Sequence, residues 1–234
     1  MEQIELFKLH GLNKDVSATG VVRNYKVSIC SRKEIVDFVE FWHYSNNVNG
    51  LTTDYCFKLQ DEAGQMIGAM IYGKIAMADV WRKYATIETD LIELKRLCCI
   101  DNTPKNTESF FIGNTLRWLK KNTGIKTVIS YADMTYSHEG TIYKASNFVH
   151  KGMTAKGRVI MFEDKRYHDK TIRTKYKGEL KPFALKIKNA LETGEAKYVE
   201  TKGKHIYIYE LKKAEKLNVQ PPNDTQCGVE KNNI

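Results

Sequence analysis

The change of hydrophobic period between residues 92 and 148 constrains this chain more than any other feature. Ile92 to Ile100 mixes apolar and branched residues as a strand does, and stops at Asp101-Asn102-Thr103-Pro104-Lys105-Asn106, a run of turn formers. From Asn106 the spacing becomes helical: Phe110, Phe111, Asn114, Leu116, Trp118 and Leu119 fall on one face, and the pattern closes before Gly124. Lys126 to Tyr131 is then a short β-branched run that reads as a buried strand, delivering Ala132 and Asp133 to a loop at its carboxyl end. Strand, turn, helix and strand make one βαβ unit, and sheets of that kind bind ligands beyond the carboxyl ends of their strands.

Upstream, the first twenty residues are irregular and drape over the domain, and Tyr25 to Cys30 alternates like a first strand. Ser31 with Glu34 forms a capping box for a helix whose core face carries Ile35, Val36, Phe38, Val39 and Trp42. That helix runs into His43, Tyr44 and Ser45, followed by the loop residues Asn46 to Gly50. Asp54 to Leu59 and Met66 to Tyr72 read as a hairpin turning at Gly64. The segment after it, with Trp81 and Arg82, fits either a short helix or a loop at an active site.

Downstream, His150 to Thr154 and Arg158 to Asp164 are expected to close the sheet as a hairpin. Residues 165–181 are dense in Lys and Arg with Tyr167, His168 and Tyr176 between them. That composition suits a surface tracking a nucleic-acid backbone, with Arg166, Lys170, Arg173 and Lys175 as its contacts, and equally a solvated basic loop. Pro182 opens a helix stopped by Gly194, and Lys197 to Leu211 reads as a hairpin about Lys202-Gly203. The expected organisation is a catalytic domain over 1–164, a basic helix-hairpin extension over 165–213, separate or within the same domain, and a disordered tail over 214–234.

A net charge of +9 over 234 residues favours an acidic partner, a nucleic acid or a phosphorylated cofactor. Five cysteines, at 30, 56, 98, 99 and 227, show no C-x-x-C spacing and read as reduced residues of the core. With no apolar run long enough to span a bilayer and no signal-peptide pattern, the expected location is intracellular.

The runs ELKRL, NTESFFIG, SYAD and GTIYKASNF, with His43-Tyr44-Ser45 ahead of them, resemble the Mom family of phage DNA-modification proteins over roughly residues 25–165. That family is a divergent branch of the GCN5-related N-acetyltransferase (GNAT) superfamily. The resemblance implies an α/β fold with a GNAT-like mixed central sheet flanked by helices. It implies a phage transferase that alters adenine N6 in DNA with an acetyl-coenzyme A-derived group. Such an enzyme works in the cytoplasm of the infected host and shields phage DNA from restriction.

Residue by residue, the resemblance places activity and a bound iron on His43, Tyr44, Asp133 and Tyr143. One imidazole, one carboxylate and phenolic oxygens suit iron, or proton handling at an exocyclic amine, and both uses stay open. From spacing alone, a histidine beside a tyrosine at a helix end and an aspartate capping the next turn are also ordinary structural features. For the cofactor, GNAT enzymes use a glycine-rich loop to cradle pyrophosphate at a helix N-terminus. This chain has DNTPKNTES there, so Thr107 and Ser109, with Lys105, are the candidates to supplement the helix start, and Arg96 on the preceding strand is the candidate active-site cation or phosphate contact. Two rivals remain: a GNAT acyltransferase acting on a small amine or a protein, and a non-catalytic DNA-binding or host-inhibiting protein of the same fold.

Overall fold

The structure, a computed structural model, describes residues 14–211 apart from 78 and 137. The expected disordered tail over 214–234, with Cys227, lies outside the described residues. Seven strands form the main sheet in the order β1-β2-β3-β4-β5-β12-β6. They are β1 (Lys26–Cys30), β2 (Tyr55–Gln60), β3 (Met66–Gly73), β4 (Leu91–Cys99), β5 (Thr127–Asp133), β6 (Val149–Met153) and β12 (Lys204–Glu210). Only β4 and β5 run parallel; every other neighbouring pair is antiparallel.

Helix α1 (Arg32–Trp42) starts at the expected capping box, where the Ser31 N–H donates to Glu34 Oε1 at 2.8 Å. Its buried face of Ile35, Phe38 and Val39 covers the sheet, and α2 (Thr107–Asn122) covers it with Phe111, Ile112, Leu116 and Leu119. The central strand β3 is buried along nearly its whole length. Its Tyr72 hydroxyl pairs with Thr115 Oγ1 of α2 at 2.8 Å, so the phenol enters the core with its polar end satisfied. The helix α2 stops at Thr123, whose hydroxyl returns to the Leu119 carbonyl, one residue before the expected glycine.

Two expected hairpins are not formed. Strand β6 pairs with β12 in the main sheet, while β7 (Gly157–Phe162) joins β8 (Lys165–His168) and β11 (Lys197–Thr201) in a second sheet ordered β11-β7-β8. The chain does reverse near Lys202-Gly203, but β11 and β12 go to different sheets. Burial explains the division. Ile160 and Phe162 of β7 are buried against Ile187 and Ala190 of helix α4 (Pro182–Thr193), a small core of their own. Strand β12 is apolar on both faces: Ile206 and Ile208 pack with Leu91 and Ile129, and Tyr207 contributes to the main core. A strand buried on both faces belongs inside a sheet rather than at its edge.

The segment between β3 and β4 forms short 3-10 turns at Val80–Lys83 and Glu88–Asp90, and Trp81 packs over Leu91, Ile129 and Ile206. It therefore covers part of the sheet. Of the cysteines, Cys56 and Cys98 are buried, Cys30 and Cys99 half-buried, and all four are free thiols. Among the described residues no helix is long and apolar enough to cross a membrane.

Candidate active site

The site arises where β4 and β5 part. Their pairing runs from Leu91–Thr127 to Leu94–Ser130 and ends there, although β4 continues to Cys99 and β5 to Asp133. At the same place β4 carries an extra residue against β3: Ile71 pairs with Arg96 and Tyr72 with Leu94, leaving Lys95 bulged. A bulge breaks the alternation and bends the strand. As a result Leu94 and Lys95 are both buried, and the strands beyond diverge around a cavity of about 370 Å³.

His43, Tyr44, Asp133 and Tyr143 all line that cavity. Their elements come from positions 43 to 143, brought together because α1 ends, and β5 runs out, at the same edge of the sheet. Tyr143 is carried by the short helix α3 (Thr141–Ala145), which starts at Gly140 with φ +73°. A Cβ at Gly140 would strike the Tyr207 ring, so the GTIY run needs glycine for both conformation and room. Tyr207 fixes the turn further by donating its hydroxyl to the Glu139 carbonyl.

The ionisable groups are individually tuned. His43 is buried, and its Nδ1 accepts from the Ser45 N–H at 3.1 Å with the Ser45 hydroxyl at 2.8 Å. A backbone N–H can only donate, so Nδ1 carries no proton and Nε2 does. Burial, with Arg96 and His138 adding to it, pulls this imidazole down to about 3. His43 is thus a neutral hydrogen-bond donor in this arrangement. Burial tends to raise the Asp133 carboxyl, but the Thr135 hydrogen bonds and Lys204 outweigh it and hold it below the usual value. Thr135 N–H donates to Oδ1 at 3.0 Å, and Lys204 Nζ lies 3.3 Å from Oδ2 across the β5–β12 pair. Burial pushes the Tyr143 hydroxyl up to about 12, against the partial opposition of Ser130. Burial, then the charge on Asp133, also raises Tyr44.

The geometry gives the implied iron no support. A ligand nitrogen needs a lone pair, and the outward nitrogen of His43 holds a proton while its other lone pair is taken. Asp133 is engaged by Thr135 and Lys204, and among the described residues no three His, Cys, Asp or Glu side chains form a metal cluster.

The cofactor candidates divide. Arg96 donates to the Lys95 carbonyl at 2.8 Å and the Asn47 carbonyl at 3.2 Å, tying β4 to the loop after Tyr44. It secures that loop through backbone carbonyls, with no carboxylate among these partners. Thr107 is fully buried with its hydroxyl donated to the Pro104 carbonyl, which removes it from any phosphate. Ser109 donates to the Asn106 carbonyl and lines a broad groove with Arg23, Lys105, Arg117 and Lys120, three of which the sequence reading did not single out. Of the basic segment, Arg166 on β8 reaches the cavity rim, donating to the Tyr136 hydroxyl at 3.1 Å. Arg173 pairs with Asp169, while Lys170 and Lys175 are exposed.

Sequence reasoning missed Lys95, buried against Glu93 at 3.2 Å, and Lys204, the partner of Asp133. A lysine two residues from a glutamate on an otherwise apolar strand was the available signal for the first; the second depends on strand order alone.

The Mom protein family matches residues 24–225. This chain belongs to the Mom family. The mixed sheet flanked by helices agrees with the α/β architecture expected above. A search of curated proteins returned no match. Among solved structures, a Bacillus subtilis acetyltransferase in complex with CoA is 10% identical, covering 80% of this chain and 99% of that one at a TM-score of 0.45. An N-acetyltransferase from Staphylococcus aureus is 14% identical, covering 81% and 99% at 0.44. Likenesses this remote transfer no residue's role to this Mom-family chain.

Proposed function

We propose that this protein is a transferase that modifies the N6 amine of adenine in DNA with a group drawn from acetyl-coenzyme A or a close derivative. The observation that carries the reading is the meeting of His43, Tyr44, Asp133 and Tyr143 in one cavity at the parting of β4 and β5, in a chain of the Mom family.

The groove along α2, with Arg23, Lys105, Arg117 and Lys120, suits the phosphates of such a donor, since four cations line it and, among the described residues, no carboxylate does. The cofactor would supply an activated acyl carbon whose bond to sulfur breaks as the bond to nitrogen forms, the amine proton leaving with the thiol of coenzyme A. The chain supplies the polar environment for transfer. Asp133, held ionised, accepts a hydrogen bond from the exocyclic amine and orients its nitrogen; His43 Nε2–H donates toward the oxygen on which negative charge develops. In this reading the protein acts in the cytoplasm of an infected host cell and the modified adenine resists restriction.

Enzymatic digestion and mass spectrometry of DNA from cells expressing the protein test this directly. A new modified deoxyadenosine is expected. Unmodified DNA, together with acetylation of polyamines or protein lysines, would assign the chain to acyl transfer on other amines. Acetyl-coenzyme A should also raise the melting temperature by mass action, equivalent to about 2.7 kcal/mol at a hundredfold excess over its dissociation constant.

A further inference from the structure

The rim of the cavity is aromatic and exposed, which the chemistry above leaves unused. Tyr136 closes the 3-10 turn Met134–Tyr136 that follows Asp133, and its ring lies 4.4 Å from that of Tyr44, centroid to centroid. The two are 40% and 41% exposed, and His138 lies 4.9 Å from Tyr44. The other aromatic candidates for stacking are engaged elsewhere: Tyr143 is buried, and Trp81 and Tyr131 belong to the cluster around Ile129.

Tyr136 is held from the second sheet. Arg166 donates to its hydroxyl, and the guanidinium carbon lies 5.6 Å from its ring centroid. Arg82, Arg158 and Arg173 all pair with carboxylates, but among the described residues no ion pair holds Arg166. A tyrosine ring fixed by an unneutralised arginine, beside a second exposed ring, presents flat π surface and positive charge together. That combination suits a planar base carried on an anionic backbone.

We propose that Tyr136, positioned by Arg166, and Tyr44 form the stacking platform for an unpaired nucleobase at the mouth of the cavity. The second sheet then serves recognition by holding one wall of the base site. The proposal rests on the DNA reading, and its test is separable from it.

Binding of a short oligodeoxyadenylate is compared with binding of an abasic strand of the same length at fixed salt. Phosphate contacts alone give equal affinities; a stacking platform makes the base-bearing strand about tenfold tighter or more. Tyr136→Leu should bring the oligodeoxyadenylate close to the abasic value, while Tyr136→Phe, which keeps the ring, retains most of the preference. Arg166→Gln should weaken the preference in the wild-type background and have no further effect beside Tyr136→Leu. A wild-type protein that does not distinguish the strands, or a Tyr136→Leu protein with undiminished preference, overturns the proposal. A new modified nucleoside in either case leaves the transferase reading standing, whereas its absence from a protein with intact base preference removes that reading alone.

Discussion

At the parting of β4 and β5 the ionisable side chains are buried and committed: Lys95 to Glu93, Asp133 to Thr135 and Lys204, Arg96 to two carbonyls, His43 to Ser45. Around the three-stranded sheet the cations stand in solvent, and those that pair, Arg158 and Arg173 with Asp169 and Lys186 with Glu163, have more than half of their own side chains exposed. Desolvation accounts for the difference. A charge out of water must have a fixed partner, and once fixed it can orient a reacting group; an exposed pair contributes little to stability and remains available to a polyanion. The two regions should therefore fail differently when altered.

Loss of chemistry should be the largest effect. His43→Ala and Asp133→Asn should each lower DNA modification by about a hundredfold or more, read by nucleoside mass spectrometry, because each removes a positioned polar group at the reacting centre. Near wild-type activity in both variants would show that the cavity is not the catalytic site.

Next in size is the buried ion pair. Lys95 has 3% and Glu93 17% of its side chain exposed, so Glu93→Gln leaves an ammonium buried without its carboxylate. A loss of about 3 kcal/mol is expected in urea denaturation, and combining it with Lys95→Met should restore most of it. Lys186→Gln, breaking the exposed pair with Glu163, should stay within about 0.5 kcal/mol. Equal costs for the two pairs would break the comparison.

The third effect is pH-dependent stability. His43 is held at about 3 when folded and returns to 6.5 when unfolded, so between these values the unfolded chain binds the extra proton. Stability from this group is complete above the upper value and falls as pH drops, by about 1.4 kcal/mol per unit within the window. Asp133, with its folded carboxyl lowered, acts in the same direction at lower pH. His43→Gln should flatten the decline in denaturation midpoints below neutrality, and an unchanged slope would contradict the burial argument.

The smallest effect concerns salt. Replacing Lys170 and Lys175 with Gln should make the slope of log affinity against log salt on duplex DNA shallower by about 1.8, or 0.9 for each lost phosphate contact. Arg173→Gln should change it less, since that guanidinium already pairs with Asp169. An unchanged slope in the double lysine variant would place the DNA path away from the second sheet.

Much of the fold was legible because its signals are local. The Ser31–Glu34 capping box, the hairpin at Gly64, the helical spacing from Phe110 to Leu119, and Pro182 with Gly194 each depend on residues within a few positions of one another. The same locality misled at Lys202-Gly203, where a turn signal states that the chain reverses but not which strands lie beside it. Once β12 enters the main sheet, Lys204 meets Asp133 and Tyr207 meets the GTIY turn.

The family, the βαβ unit and the four residues that share a cavity, His43, Tyr44, Asp133 and Tyr143, could be read from the chain, since motif identity and hydrophobic period are properties of it. Tertiary structure alone decided what those residues can do. The bulge at Lys95 opens the sheet, Ser45 sets the proton on His43, Thr135 and then Lys204 hold the Asp133 carboxyl low, and a strand from a second sheet brings Arg166 to Tyr136. Each depends on an approach of a few ångströms, either between segments distant in sequence or through a backbone geometry that the residue types do not specify. Burial then converts those approaches into protonation states, because the free energy of a charge depends on what replaces water around it.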